Sequence, residues 1–111
     1  NLLETKPLKT ALTETKKLLH SHWYNADIIE KLFNFLGYRY LKTKNVDAAI
    51  AVFEFNAEIA PYSANAYDSL GEAYMIKGDK EKAITNYEMS LKKYSGNVNA
   101  KRKLEALRKE K

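Results

Sequence analysis

Cysteine is absent from this 111-residue chain, which excludes disulfide frameworks and thiolate metal sites. Two prolines and four glycines are too few for low complexity or long flexible linkers. No apolar run approaches the ~18 residues of a membrane span. The opening "NLLETKPLKT" has neither the basic start nor the apolar block of a signal peptide. It also lacks an initiator Met and is read as a piece of a longer protein or a mature form. Catalytic signatures are missing too. There is no G-x-S-x-G elbow and no phosphate-cradling glycine loop. The only histidines are His20 and His22. Two residues apart on a helix they point ~200° away from each other and cannot share a metal. The domain is therefore expected to be no enzyme and to bind no metal or cofactor.

What is present suits one small folded domain. Hydrophobic residues make up 45% and charged residues 30% of the chain, ordinary proportions for a packed core with a polar surface. The net charge of +5 is uneven. Residues 98–111 hold six basic residues (Lys101, Arg102, Lys103, Arg108, Lys109, Lys111) against Glu105 and Glu110, leaving 13 basic and 12 acidic residues for 1–97. Basic residues in a last helical turn match the helix dipole. Aromatics that would stack on single strands are missing from 98–111, so no nucleic-acid partner is expected.

Shifted by 34 residues, the chain aligns with itself without a gap. Phe33, Leu36, Gly37, Tyr40, Ala49 and Phe53 fall on Tyr67, Leu70, Gly71, Tyr74, Ala83 and Tyr87. Ile50 falls on Ile84 and Glu54 on Glu88. Leu32, Phe33, Leu36, Tyr40 and Leu41 recur at three- and four-residue steps, which predicts an amphipathic helix. Val46, Ala49, Ile50, Phe53 and Ala57 predict a second one. Between them "KTKN" is polar, with Asn45 as a side-chain N-cap. The matching "KGDK" offers Gly78 as a left-handed C-cap and Asp79 as an N-cap. Glycine inside a helix costs ~1 kcal/mol against alanine, so Gly37 and Gly71 need compensation. Close approach of the second helix, with Ala49 and Ala83 as small counterparts, is the expected source.

This repeat resembles the tetratricopeptide repeat, with its W-x2-L-G-x2-Y…A-x3-F…P pattern. Phe33 and Tyr67 stand in place of Trp, Lys44 in place of the turn glycine, and Ser95 in place of the proline kept at Pro61. The resemblance implies an all-α array of helix-turn-helix units in a right-handed α-α superhelix. It divides the chain into an N-terminal helix and connection (1–29), unit 1 (30–63), unit 2 (64–97) and a C-terminal capping helix (98–111). In the N-terminal segment, Leu8, Leu12, Leu19 and Trp23 form a stripe with Pro7 in the first turn, and "HSHWYNAD" breaks the helix before Asn25 or Asp27. In the last segment Val98, Ala100, Leu104 and Leu107 are expected to lie on the second unit.

Arrays of this family line a concave wall with their first helices, and the resemblance implies that a protein or peptide segment binds there. The candidates are Lys31, Asn34, Phe35, Tyr38 and Lys42 in unit 1, and Asn65, Asp68, Ser69, Glu72, Met75 and Ile76 in unit 2. From the last helix Asn99, Arg102 and Lys103 join them. Asp68 and Glu72 would repel a free carboxylate. The expected groove therefore pairs an apolar patch (Phe35, Tyr38, Met75) with an acidic one. Ser63–Leu91 also looks like the C-terminal tail of certain bacterial serine hydrolases, esterase-like or β-lactamase-like. This implies an accessory module acting on the catalytic domain of its own parent chain. A self-associating homodimer is a further reading, because a two-unit array leaves short open ends.

Overall fold

The structure, a computed structural model, describes residues 2–21 and 24–109, with side chains from Pro7 onward. Six helices occupy the described residues, with no strand among them: α1 (Leu2–Ser21), α2 (Ala26–Lys42), α3 (Val46–Ile59), α4 (Ala64–Lys77), α5 (Lys80–Lys93) and α6 (Val98–Lys109). α2 pairs with α3 and α4 with α5, giving the two expected hairpins; α4 also packs on α3, and α6 on α5. α1 begins five residues before Pro7, so proline does not mark its start. It lies on α3 through Leu8, Leu12 and Leu19. His22 and Trp23 lie outside the described residues.

Local chemistry sets the helix ends. The Asn25 side chain accepts from the Asp27 and Ile28 amides at 3.0 and 3.2 Å. Ser63 accepts from the Ala66 amide at 3.2 Å and Asp79 from the Lys82 amide at 3.1 Å. These satisfy donors that a helix start otherwise leaves orphaned. Asn45 occupies the N-cap of α3 but makes no side-chain cap bond, contrary to expectation. The two hairpin turns nonetheless match. Gly78 has φ 91° and Lys44, at the equivalent place, φ 63°. The next amide then reaches back to a tyrosine carbonyl at 2.9 Å in both turns, Asn45 to Tyr40 and Asp79 to Tyr74. The left-handed turn thus survives loss of the glycine, at a steric cost of about 1–2 kcal/mol.

The helical glycines are bare for a different reason than expected. A Cβ on Gly37 would stand 2.2 Å from Cε1 of Phe53, and one on Gly71 would stand 2.8 Å from the Tyr87 ring. The aromatic ring of the second helix rests on the first helix's backbone. Ala49 and Ala83 are fully buried, but the rings fill the space over the glycines. Phe53 and Tyr87 are themselves fully buried.

A buried polar tie repeats at the same spacing. Asn56 Nδ2 donates to the Glu30 carbonyl at 2.8 Å, and Ser90 Oγ donates to the Ala64 carbonyl at 2.9 Å. Residues 56 and 90, and 30 and 64, are 34 apart. Each tie pins the end of a second helix to the start of its own first helix. Burial without a partner costs roughly 1–3 kcal/mol, so these side chains are held to that geometry.

Two apolar positions depart from expectation. Leu32 and Val98 are each 58% exposed, although their spacing predicts that both face a core. Ala100, Leu104 and Leu107 do face the core.

Gly37→Ala gains about 1 kcal/mol in helix propensity but overpacks against Phe53. The net expectation is a loss of about 1–3 kcal/mol, read as a lower urea midpoint at unchanged m-value. With Phe53→Leu already in place, the same glycine change is expected to be close to neutral. An undiminished loss in that background would refute the ring contact.

Candidate partner-binding face

The first helices of the hairpins, α2 and α4, run side by side, and a seam of side-chain hydrogen bonds joins them. Tyr62 Oη donates to Asp27 Oδ1 at 2.9 Å, and Asn65 Nδ2 to Glu30 Oε2 at 3.3 Å. Ser69 Oγ lies 2.7 Å from Asn34 Oδ1 and 3.2 Å from Tyr38 Oη. Tyr38 Oη donates to Glu72 Oε1 at 3.1 Å. Two hydroxyls bring two protons to three contacts. The run closes fully when the Asn34 amide turns its nitrogen toward Ser69. Asn99 Nδ2 extends the seam to α6 by donating to Asp68 Oδ2 at 2.9 Å.

The structure therefore brings together Asn34, Tyr38, Asn65, Asp68, Ser69, Glu72 and Asn99. Ser69 is fully buried between the helices and offers no open surface. The apolar patch does not assemble. Tyr38 meets Phe53 edge-on, ring centroids 5.2 Å apart, and Met75 accepts from Tyr87 Oη at 3.6 Å. Phe35 stands apart, 62% exposed, with the Arg39 guanidinium 5.9 Å above its ring. Lys31 and Lys42 are exposed on the same helix, and Arg102 is exposed on α6.

Electrostatics single out Asp68. Burial raises its carboxyl above the usual range, opposed by the Asn99 bond and reinforced by the Glu72 charge; Lys103 offsets part of this. Its Oδ1 is buried without a hydrogen bond, and the Asn97 amide comes near enough to ease the charge but not to bond. The Tyr38 phenol is pushed up to about 12, chiefly by burial, with Glu72 adding to the rise and the Ser69 bond opposing it. Burial likewise raises Tyr87. This is a partly desolvated acidic centre that favours a cationic or donor-rich neighbour over an anion.

A second concavity, about 320 Å³, is lined by Lys9, Asp47, Glu54, Tyr74, Lys77 and Lys82 among others. Lys77 pairs with Asp47, and Tyr74 Oη donates to Glu54 at 3.2 Å. Among the described residues no cluster of three or more His, Asp or Glu could hold a metal. Among the described residues no helix is long and apolar enough to cross a membrane.

The seam was only partly visible in the sequence. A polar residue at position 34 and a small one at 69 are common on any exposed helix face. The Asn56 and Ser90 ties carried one readable signal, a polar residue at the same repeat position within an otherwise apolar helix.

A raised folded-state carboxyl pKa means that ionised Asp68 opposes folding at neutral pH, and that the penalty disappears below the unfolded-state value of ~3.9. Asp68→Asn is therefore expected to raise Tm at pH 7, with the gain fading as the pH falls and absent at pH 3. A gain that persists at pH 3 would remove the electrostatic explanation.

The sequence profile described as tetratricopeptide repeat matches residues 64–92, the span of the second hairpin. Among solved structures, the first TPR of Spaghetti (RPAP3) bound to HSP90 peptide SRMEEVD superposes with a TM-score of 0.69 at 18% identity. The match covers 97% of this chain and 82% of that one. No curated protein sequence matches the chain. The chain thus has the fold of a tetratricopeptide helical-hairpin array, and its second hairpin matches the repeat in sequence as well.

Proposed function

We propose that this chain is a non-catalytic interaction module that holds a protein or peptide segment across the seam-bearing side of α2, α4 and α6. The supporting observation is the half-buried carboxylate pair of Asp68 and Glu72 where successive first helices meet, with donors and acceptors of Asn34, Asn65, Tyr38 and Asn99 around it. The related array's structure is described as bound to the acidic peptide SRMEEVD. Here the centre of the face is acidic, so a segment with basic or neutral side chains fits better than one ending in a free carboxylate.

The test uses two peptides, SRMEEVD and an amidated counterpart with its three acidic residues replaced by lysine. The basic peptide is expected to bind more tightly, with affinity falling as salt rises. Asp68→Lys/Glu72→Lys is expected to weaken that binding at least tenfold, about 1.4 kcal/mol. Stronger binding of the acidic peptide to the unmodified chain, or an unaffected basic complex in the variant, would overturn the reading.

The likeness of Ser63–Leu91 to hydrolase tails supports a second proposal, that the module serves a serine hydrolase in the same polypeptide. A parent gene without any catalytic domain would dispose of it.

A further inference from the structure

α6 sits on the second hairpin as α4 sits on the first. Ala100, Leu104 and Leu107 are buried like Ala66, Leu70 and Ala73, 34 residues earlier. Asn97 accepts from the Ala100 amide at 3.1 Å, as Ser63 accepts from the Ala66 amide at 3.2 Å. The seam between α4 and α6 therefore repeats the seam between α2 and α4. In the first seam Ser69 lies against Asn34 and Tyr38. Shifted by 34 residues, those three positions are Lys103, Asp68 and Glu72. The repeat thus lays a lysine of α6 against the two carboxylates of α4.

Three further observations put Lys103 there. Asn99, one turn earlier on the same face of α6, donates to Asp68 Oδ2 at 2.9 Å, so this face is turned toward α4. Lys103 is half-buried, whereas Lys101, Arg102, Arg108 and Lys109 are exposed. Its charge pulls the Asp68 carboxyl down, against the burial and the Glu72 charge that raise it. Arg108 is paired with Glu88, but Lys103 forms no ion pair among the described residues. Its four-carbon stem is flexible, so the ammonium is near the carboxylates without being locked to either.

We propose that Lys103 is a built-in counter-ion of the acidic centre and a specificity-determining residue of the face, because a partner's cation must displace its ammonium to reach Asp68 and Glu72. This rests on the reading of the face as one that holds basic segments. Glu72 has one oxygen engaged by Tyr38 Oη, and Asp68 has one engaged by Asn99 Nδ2. Neither bond neutralises a charge, so two half-buried carboxylates one helical turn apart repel each other. In the free chain the Lys103 ammonium lowers that cost. The same ammonium reduces what an incoming lysine or arginine gains. Toward an acidic segment it acts the other way and softens the repulsion. Lys103 therefore narrows the preference for basic over acidic partners, and its neutralisation widens it.

Peptide binding and a proton titration test this together. Lys103→Gln is expected to bind the amidated basic peptide about three- to fivefold more tightly than the unmodified chain, the size of one screened charge interaction. Lys101→Gln removes the same charge two residues earlier, ~200° around α6, and is expected to leave the affinity unchanged. Without peptide, NMR titration of the Asp68 side-chain carboxyl is expected to give a higher pKa in Lys103→Gln and no change in Lys101→Gln. The other groups that act on Asp68, namely Glu72, Asn97, Asn99 and the Tyr87 phenol, are the same in all three forms. An Asp68 titration indifferent to Lys103→Gln would overturn the proposal. So would equal binding of the basic peptide to all three forms, or a Lys101→Gln variant that tightens as much as Lys103→Gln. If the basic peptide binds none of them while Asp68 shifts as expected, the peptide reading of the face fails and the placement of Lys103 stands.

Discussion

An aromatic ring seated on a bare stretch of helical backbone is the contact on which this fold depends. Phe53 on Gly37 and Tyr87 on Gly71 set how near the two helices of each hairpin come. A glycine in mid-helix is locally unfavourable. It becomes favourable here because a fully buried ring gains dispersion contact with the peptide groups beneath it. Once that distance is set, alanines at 49 and 83 suffice at the flanking positions, and the tyrosines and leucines of the first helix reach the next hairpin.

The buried polar ties act along the other axis of each hairpin. Asn56 and Ser90 sit fully buried in helices that otherwise present apolar side chains inward. Rings are tolerant of rotation and sliding, whereas a hydrogen bond to one particular carbonyl is not. The ring contact therefore sets separation, and the tie sets register. Repeating both at one spacing makes the second hairpin a near copy of the first, and the seam of Asn34, Ser69, Tyr38 and Glu72 follows from laying the copies side by side.

Two surfaces emerge with opposite chemistry. The seam is polar, partly desolvated and acidic at Asp68 and Glu72. The outer side of α2 is apolar and flanked by Arg39 and Lys42. The basic residues of α6 do not act as one block, since Arg108 is paired with Glu88 at 2.6 Å.

Helix type, hairpin pairing and the left-handed turn at Gly78 were legible because they follow from local chemistry and from a pattern repeated at constant spacing. Gly37 and Gly71 announced a close approach by the same logic. Which atoms approached was not legible, since the ring of Phe53 and the methyl of Ala49 lie on one helix a turn apart and only the crossing geometry chooses between them. The same holds for Leu32, Ser69 and Phe35. Their spacing places them on a helix, but burial depends on whether a neighbour stands opposite, and α4 has one where α2 does not. Sequence by itself thus determined the elements and their repetition, because backbone propensity and periodicity are local. Only the tertiary structure decided which faces are covered and which carboxylate is desolvated, because both depend on residues far apart along the chain.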